Sequence, residues 1–285
     1  MQLKYDLYTP NFVNDNLASV VLLHSMCETK KTWMKIAPDI AKCTGRKVYA
    51  IDARNHGESP WCDKYTIDAM VEDLEEFLHQ HKITKVILVG HSMGGKVAIS
   101  FAFKRPEMME KLIIEDSTPK NFISGGGKHV TIGLNLAKEI HNLMPSGMAK
   151  KETEEFIRDF LKPFVEDLRV PEEIVMTYDF DLLPLKWDGN TFNIDLNIDV
   201  IADAMINNQL QQNLSGTFDK PVLLIYGSNS HFKIGTDPVF LKYFPQTIKV
   251  EFENGGHFIH QAFPNEFKRE VMNFINRNKT GKAKY

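Results

Sequence analysis

The hydrophobic pattern in the first half of the chain predicts alternating strands and helices. Short apolar runs without polar interruption are typical of strands buried on both faces of a parallel sheet. The predicted strands lie at residues 19–23, 47–51, 86–89 and 111–115. Apolar side chains at helical spacing lie between them, at residues 32–42, 66–78 and 97–102. This order predicts the α/β class, with a doubly wound, mostly parallel sheet.

After Asp116 the alternation stops for roughly 100 residues, which is far longer than an ordinary connection between strands. Helical spacing recurs inside this stretch at residues 132–143, 150–161, 171–178 and 198–209. Strand patterns then resume at residues 222–226 and 247–252, and a helix is predicted at 264–276. We therefore predict a core of residues 1–116 and 219–276, an inserted helical cap of residues 117–218, and a basic C-terminal tail of residues 277–285.

Composition narrows the class of protein. The 285 residues are 43% hydrophobic and 25% charged, with a formal net charge of −3. No clustered basic face is visible outside the tail, so nucleic acid is not an expected partner. No apolar run reaches the ~18 residues that a membrane helix needs. Three cysteines without paired spacing predict neither disulfides nor a zinc site, and we expect an intracellular, reducing compartment such as the cytoplasm.

One segment suggests nucleophilic catalysis. The strand at residues 86–89 leads into residues 90–94, which read Gly-His-Ser-Met-Gly, and a helix follows. Strand, tight turn and helix are the context in which Gly-x-Ser-x-Gly forms a nucleophile elbow, where the serine hydroxyl stands clear of the backbone. We predict Ser92 as the nucleophile. The alternative is that Ser92 only caps the helix.

A serine nucleophile needs a base that removes its proton. His257 is the best candidate because it follows the last predicted strand and two glycines that leave the backbone free to place it. His260, three residues further on, is the rival. A purely structural role for His257 is the other alternative.

The base needs a carboxylate that orients it. The loop after the strand at residues 222–226 reads Gly-Ser-Asn-Ser-His and offers none. This favours Asp116, which follows the strand after the elbow helix. Asp237 is the alternative, although capping a short helix already explains it.

Two N–H groups are needed to stabilise the oxyanion of a tetrahedral intermediate. We expect one from Met93, at the start of the elbow helix, and one from Met26, in the loop after His24. No metal or cofactor is expected. His24 and His56 lack ligand spacing, and no phosphate-binding or dinucleotide-binding glycine motif is present.

Several segments together resemble a known family. They are His24 and its loop, Asp-Ala-Arg-Asn-His-Gly-Glu-Ser-Pro at 52–60, Gly-His-Ser-Met-Gly-Gly-Lys at 90–96, Gly-Ser-Asn-Ser at 227–230 and Gly-Gly-His at 255–257. The chain resembles the α/β-hydrolase superfamily, in the group of α/β-hydrolase domain-containing protein 11, whose bacterial relatives are small esterases and whose fungal relatives include an ethanol acetyltransferase. The resemblance implies an α/β-hydrolase fold, a triad of Ser92, Asp116 and His257, and an accessory role for Ser230. It also implies action on acyl esters or thioesters, and for animal relatives a mitochondrial setting.

One loop departs from the family. Where the family has His-Gly-x-x-Gly, residues 24–28 read His-Ser-Met-Cys-Glu. If the loop requires a positive φ, Ser25 would be strained, and Glu28 would bring a negative charge near the oxyanion. We therefore expect a narrowed specificity or weakened hydrolysis.

Three hypotheses of function follow. The first is a serine hydrolase that cleaves esters or thioesters of lipid-like acyl groups through an acyl-enzyme. In the second, an alcohol takes the acyl group, which makes the protein an ester-forming acyltransferase. The third is a ligand-binding protein that keeps the fold without catalysis. The sequence leaves open the acyl-chain length, the leaving group and the oligomeric state.

Overall fold

The computed structural model describes residues 1–121, 128–145, 147–164, 179–188 and 191–277. Its strands are β1 (Tyr5–Tyr8), β2 (Ser19–Leu23), β3 (Val48–Ile51), β4 (Val86–His91), β5 (Met109–Glu115), β6 (Leu185–Trp187), β7 (Phe192–Ile194), β8 (Val222–Gly227) and β9 (Thr247–Phe252). Its helices are α1 (Ala37–Thr44), α2 (Ile67–Gln80), α3 (Met93–Lys104), α4 (Lys128–Leu143), α5 (Lys150–Leu161), α6 (Ile198–Ile206), α7 (Val239–Tyr243), α8 (Ile259–Ala262) and α9 (Pro264–Asn276).

Seven strands form one sheet in the order β1-β3-β2-β4-β5-β8-β9. Only β1 is antiparallel, and it pairs with β3 at the edge. β2, β4, β5 and β8 are almost wholly buried, because two apolar clusters cover the two faces of the sheet. The predicted doubly wound, mostly parallel α/β fold is confirmed. Since the inner strands run in parallel, their carboxyl ends, with Ser92 and Asp116 just beyond them, lie at one edge.

The helix predicted at residues 32–42 is wrong in its first half. The chain forms a 3-10 turn at Lys30–Trp33, and α1 begins only at Ala37. Pro38 accounts for this start, because it lacks an N–H group and fits the first turn of a helix.

The long insertion contains more than helices. α4, α5 and α6 match three of the predicted helices, but β6 and β7 form an antiparallel hairpin that the periodicity did not predict. The helix predicted at 171–178 lies outside the described residues, as does the tail beyond residue 277. Apolar side chains of α4 and α5 pack on one another and on the hairpin, around Ile140, Ile157, Phe180 and Phe192. The division into core and cap stays a prediction.

No helix in the described ranges is long and apolar enough to cross a membrane.

Candidate active site

Ser92 lies in a strained turn at the carboxyl end of β4. Its φ of 50° and ψ of −110° are unfavourable for a residue with a side chain. The turn is possible because glycines surround it: a Cβ on Gly90 would lie 2.4 Å from the Gly94 carbonyl oxygen, and one on Gly94 would lie 2.4 Å from the Leu23 carbonyl oxygen. Three backbone segments therefore approach one another only because these positions have no side chain. This is the geometry of a nucleophile elbow.

Asp116 and His257 are in direct contact. Asp116 Oδ2 lies 2.6 Å from His257 Nδ1 and accepts a second hydrogen bond of 2.5 Å from Ser230 Oγ. Asp116 is buried, whereas the His257 side chain is 14% exposed. Because the carboxylate accepts from Nδ1, the neutral imidazole keeps its proton there and presents Nε2 as a base. Sequence position predicted Asp116 and His257, and the family resemblance added Ser230 as an accessory residue.

The two rival residues have other partners. Asp237 accepts a 3.0 Å hydrogen bond from the N–H of Val239 at the start of α7 and pairs with Lys120 at 2.6 Å. His260 is fully buried, with its Nδ1 2.8 Å from Glu115. Among the described contacts, neither residue is bonded to His257 or Ser92.

The expected strain in the loop after His24 is absent. Ser25 is not among the described residues with a positive φ. The backbone conformation at position 25 therefore does not require the glycine that the family has there. The Ser25 carbonyl accepts hydrogen bonds from the N–H of Glu28 at 3.2 Å and from His24 Nδ1 at 2.7 Å. In the described hydrogen bonds, the N–H groups of Met26 and Met93 have no protein acceptor. Neither N–H is therefore committed to a described protein acceptor, and their role as oxyanion donors stays a prediction.

His56 braces the same loop, a role that sequence analysis missed. Its Nδ1 and Nε2 lie 2.8 Å from the carbonyl oxygens of Arg54 and Met26. Burial, followed by the neighbouring His24, lowers the pKa of His56 to about 4. The neutral ring therefore donates to one of the two carbonyls at a time. No local signal in the sequence connects His56 to a loop 30 positions earlier.

Neighbouring groups balance the negative charge of Glu28. Its carboxylate accepts from the N–H of Ser25 at 3.0 Å and lies 3.0 Å from His91 Nδ1 and 3.3 Å from His260 Nε2. Burial opposes the charge of Glu28, but His91 and His260 outweigh it and hold the pKa well below its usual range. The expected negative charge is present in this loop, but it is paired with counter-charges that the sequence did not show.

Glu115 completes what we call the buried cluster, consisting of Glu28, His91, Glu115 and His260. Burial disfavours charge on His260, but Glu115 and Glu28 raise its pKa to about 10. Glu28, His91 and His260 also offer ligand atoms within 4.8 Å of one another, as a metal site would. These atoms already pair with each other and with Thr32 and Ser25, and so we interpret the group as ion pairs.

Lys96 ties the elbow helix to the end of the insertion. Its Nζ lies 3.2 Å from Gln212 Oε1 and donates to the carbonyl oxygens of Thr118 and Lys120 at 3.3 and 2.5 Å. Burial lowers the pKa of Lys96 to about 7. Gln212 returns a 2.8 Å hydrogen bond to the Lys96 carbonyl. Periodicity could not reveal this pairing, because the partners are 116 positions apart.

A small pocket lies behind the loop after His24, apart from Ser92 and His257. It lies between the ends of β2 and β3 and helices α2 and α3, with His24, Arg54 and Met93 among its walls. Neither Ser92 nor His257 lines it.

Comparison with known proteins places the chain in a family. Residues 18–261 match the family described as alpha/beta hydrolase fold. The chain belongs to this family. It is 31% identical over 281 residues to the sn-1-specific diacylglycerol lipase ABHD11 of Xenopus laevis, covering 96% of this chain and 84% of the relative.

Two further similarities are informative. A solved structure of a marine microorganism esterase superposes with a TM-score of 0.76 at 26% identity, covering 96% of this chain and 99% of that one. Ethanol acetyltransferase 1 of Wickerhamomyces ciferrii is more distant, with 24% identity over 96% of this chain and 74% of the relative.

Proposed function

We propose that the protein is a serine hydrolase that cleaves carboxylic esters or thioesters of lipid-like acyl groups. The observation that carries this proposal is the 2.6 Å contact of His257 with Asp116, combined with the strained turn that holds Ser92 at the same edge of the sheet. The diacylglycerol lipase and esterase relatives support the same substrate class. Three free cysteines support an intracellular, reducing compartment.

The reaction proceeds through an acyl-enzyme. Ser92 Oγ bonds to the acyl carbon while His257 Nε2 takes the hydroxyl proton, and Asp116 stabilises the resulting imidazolium. The N–H groups of Met26 and Met93 stabilise the oxyanion of the tetrahedral intermediate. Collapse of this intermediate breaks the bond to the leaving alcohol or thiol, which takes the proton from His257. Water then repeats the sequence, releases the acid and restores the Ser92 hydroxyl.

Ser230 is an accessory residue in this proposal. Its hydroxyl donates to Asp116 Oδ2, the same oxygen that contacts His257. It therefore helps to fix the carboxylate against the imidazole.

Hydrolysis of a graded ester series tests the proposal. The series comprises p-nitrophenyl esters from acetate to palmitate, the matched acyl thioesters, and diacylglycerols labelled in either the outer or the middle acyl chain. Comparing their rates of hydrolysis defines the preferred acyl-chain length and leaving group. We expect turnover that depends on Ser92, with a preference among acyl chains. A folded wild-type protein that turns over none of these substrates would contradict the proposal.

Acyl transfer to an alcohol is the second candidate, and the similarity to an ethanol acetyltransferase favours it. It uses the same acyl-enzyme but replaces water with an alcohol in the second step. Product analysis with added ethanol separates the two: transfer yields the ethyl ester, whereas hydrolysis yields only the acid. A protein that binds acyl ligands but never forms an acyl-enzyme would instead support the non-catalytic alternative.

A further inference from the structure

Each member of the buried cluster lies next to a proposed catalytic group. Glu28 is two residues after Met26, and His91 immediately precedes Ser92. In the same way, Glu115 immediately precedes Asp116 and His260 is three residues after His257. All four members are at most 2% exposed. The cluster therefore connects four segments below the surface: the loop at residues 24–28, which we call the oxyanion loop, the elbow, the end of β5 before Asp116, and residues 255–260, which we call the base loop.

Hydrogen bonds join these four segments directly. His91 Nε2 lies 2.9 Å from the His257 carbonyl oxygen, and thus the elbow is bonded to the base loop. The N–H and Nδ1 of His260 both lie 2.8 Å from Glu115 Oε1, which fixes the base loop to the strand that ends at Asp116. Glu28 bonds to both imidazoles and adds the oxyanion loop.

The positive and negative charges of the buried cluster are equal in number. His91 faces the Glu28 carboxylate at Nδ1 and a carbonyl at Nε2. Burial opposes a charge on His91, but the Glu115 and Glu28 carboxylates outweigh it and raise its pKa, so both nitrogens donate. His260 faces Glu115 at Nδ1 and Thr32 and Glu28 at Nε2, with the same consequence. Two imidazolium rings thus neutralise two carboxylates. Removing one carboxylate leaves a buried positive charge without its partner.

Glu28 fixes the peptide groups on both sides of Ser25. Its carboxylate accepts from the Ser25 N–H at 3.0 Å, and its own N–H donates to the Ser25 carbonyl at 3.2 Å. The second bond orients the peptide that joins Ser25 to Met26. Because the N–H and C=O of a trans peptide point in opposite directions, the Met26 N–H is turned away from Glu28 and His24.

We propose that Glu28 is a positioning residue that aims the Met26 N–H at the oxyanion, with His91, Glu115 and His260 anchoring its carboxylate to the other proposed catalytic segments. This role rests on the ester hydrolysis proposed above. The backbone bond does not depend on the side chain at position 28, but the carboxylate contacts do. A glycine there, as in the resembling family, has no carboxylate to hold the Ser25 N–H or to pair with His91 and His260.

The test is Glu28→Gln in the full-length chain, which keeps the size of the side chain and removes its charge. The readouts are kcat and KM for a p-nitrophenyl ester, and the inhibition constant of a trifluoromethyl ketone, which adds to a serine and forms a tetrahedral oxyanion. We expect kcat to fall about tenfold to hundredfold with KM changed less than about threefold. The inhibition constant should rise by the same factor as kcat/KM falls, because both depend on the oxyanion donor.

Glu110→Gln is the matched control. Glu110 pairs with Arg46 at 2.9 Å near the other end of β5, so the same substitution breaks an ion pair away from the site. Its kcat and inhibition constant should stay within about twofold of wild type. Circular dichroism and active-site titration establish the folded, active fraction of each variant.

If Glu28→Gln does not fold, Thr32→Val gives a milder test. It removes the 2.9 Å hydrogen bond that Thr32 donates to Glu28 and the 2.7 Å contact of Thr32 with His260 Nε2, while both charged groups remain, and we expect a smaller change in the same direction. An unchanged kcat, or a lower kcat with an unchanged inhibition constant per active site, would overturn the proposal. Fluorine NMR of the ketone adduct measures the formation of the tetrahedral oxyanion without any turnover. It therefore tests the role of Glu28 even where the ester assay shows no hydrolysis and contradicts the proposed function.

Discussion

Two carboxylate–imidazole pairs lie side by side at the edge of the sheet formed by the carboxyl ends of the parallel strands. They consist of the same kinds of group but differ in exposure and in hydrogen bonding. The outer pair joins Asp116 to His257 at 2.6 Å, and the inner pair joins Glu115 to His260 at 2.8 Å. The acids are consecutive in the chain and the histidines are three residues apart. Yet the His257 side chain is 14% exposed with Nε2 available, whereas His260 is buried with both nitrogens occupied.

The difference teaches that the surroundings of a carboxylate–imidazole pair, rather than its residue types, separate the proposed proton relay from a structural ion pair. Side chains of consecutive residues at a strand end point to opposite sides, and Asp116 further turns with a φ of 41°. Glu115 is thereby directed beneath the sheet edge and Asp116 toward the site. In the inner pair, two buried carboxylates raise the pKa of His260 to about 10, so the ring stays protonated near pH 7 and cannot act as a base.

The largest expected effect comes from breaking the outer pair. Asp116→Asn replaces the acceptor of His257 Nδ1 with a group that can favour the wrong tautomer, and we expect kcat to fall on the order of 10³- to 10⁴-fold. Steady-state hydrolysis of a p-nitrophenyl ester measures this. A loss of less than about tenfold in a folded variant would remove Asp116 from the proposed triad.

Breaking the inner pair should affect stability more than chemistry. His260→Gln removes a buried charge from between Glu115 and Glu28, and we expect the free energy of unfolding near pH 7 to fall by about 3–5 kcal/mol. Urea denaturation measures it. A greater loss of kcat than in Asp116→Asn would reverse the assignment of the two pairs.

The destabilisation in His260→Gln should also depend on pH. The pKa of His260 is about 10 in the folded protein against an ordinary value of 6.5, so its proton stabilises the fold fully below pH 6.5. This stabilisation is lost as the pH rises through 10. The difference between wild type and variant should therefore shrink from pH 6.5 to 10. Lys96, whose pKa is lowered to about 7, contributes a pH dependence of stability with the opposite sign. Because Lys96 is present in both proteins, its contribution cancels in the difference. A difference that grows with pH would contradict a protonated His260.

A smaller effect is expected from Ser230→Ala. The variant loses one hydrogen bond to Asp116 Oδ2 but keeps the contact of Asp116 with His257. A hydrogen bond to a charged group contributes about 1.5–3 kcal/mol to stability, and since only part of it bears on the transition state, we expect kcat to fall about two- to tenfold. Ester hydrolysis measures the loss, and an effect as large as that of Asp116→Asn would give Ser230 a more direct role.

The smallest effect is expected from Asp237→Asn, the control for Asp116→Asn. Asp237 accepts from the Val239 N–H and pairs with Lys120, away from the outer pair. Asparagine can keep the capping bond, so kcat should stay within about twofold and the free energy of unfolding within about 1 kcal/mol. A large loss of kcat would make Asp237 the acid instead.

Local patterns were enough to predict the sheet, the elbow and the placement of Asp116 and His257. Each of these follows from a short apolar run and the residues directly after it, and the chain order of an α/β sheet brings those ends together. The β6–β7 hairpin was missed because three-residue strands carry too little alternation to be recognised.

The supporting contacts were beyond sequence reasoning for a different physical reason. Glu28 and His260 are 232 positions apart in the chain, and Lys96 and Gln212 are 116 positions apart. Each looks like an unremarkable polar residue until the fold buries it against its partner. Burial is what makes pairing obligatory, since an unpaired charge in the core costs several kcal/mol.

The most direct test of the account is the site of covalent labelling by a fluorophosphonate, located by peptide mapping. We predict that the wild-type protein is labelled at Ser92, that Ser92→Ala is not labelled, and that His257→Ala reacts far more slowly. Labelling at a different serine, or none on a folded wild-type protein, would contradict the claim that Ser92 is a nucleophile activated by the outer pair.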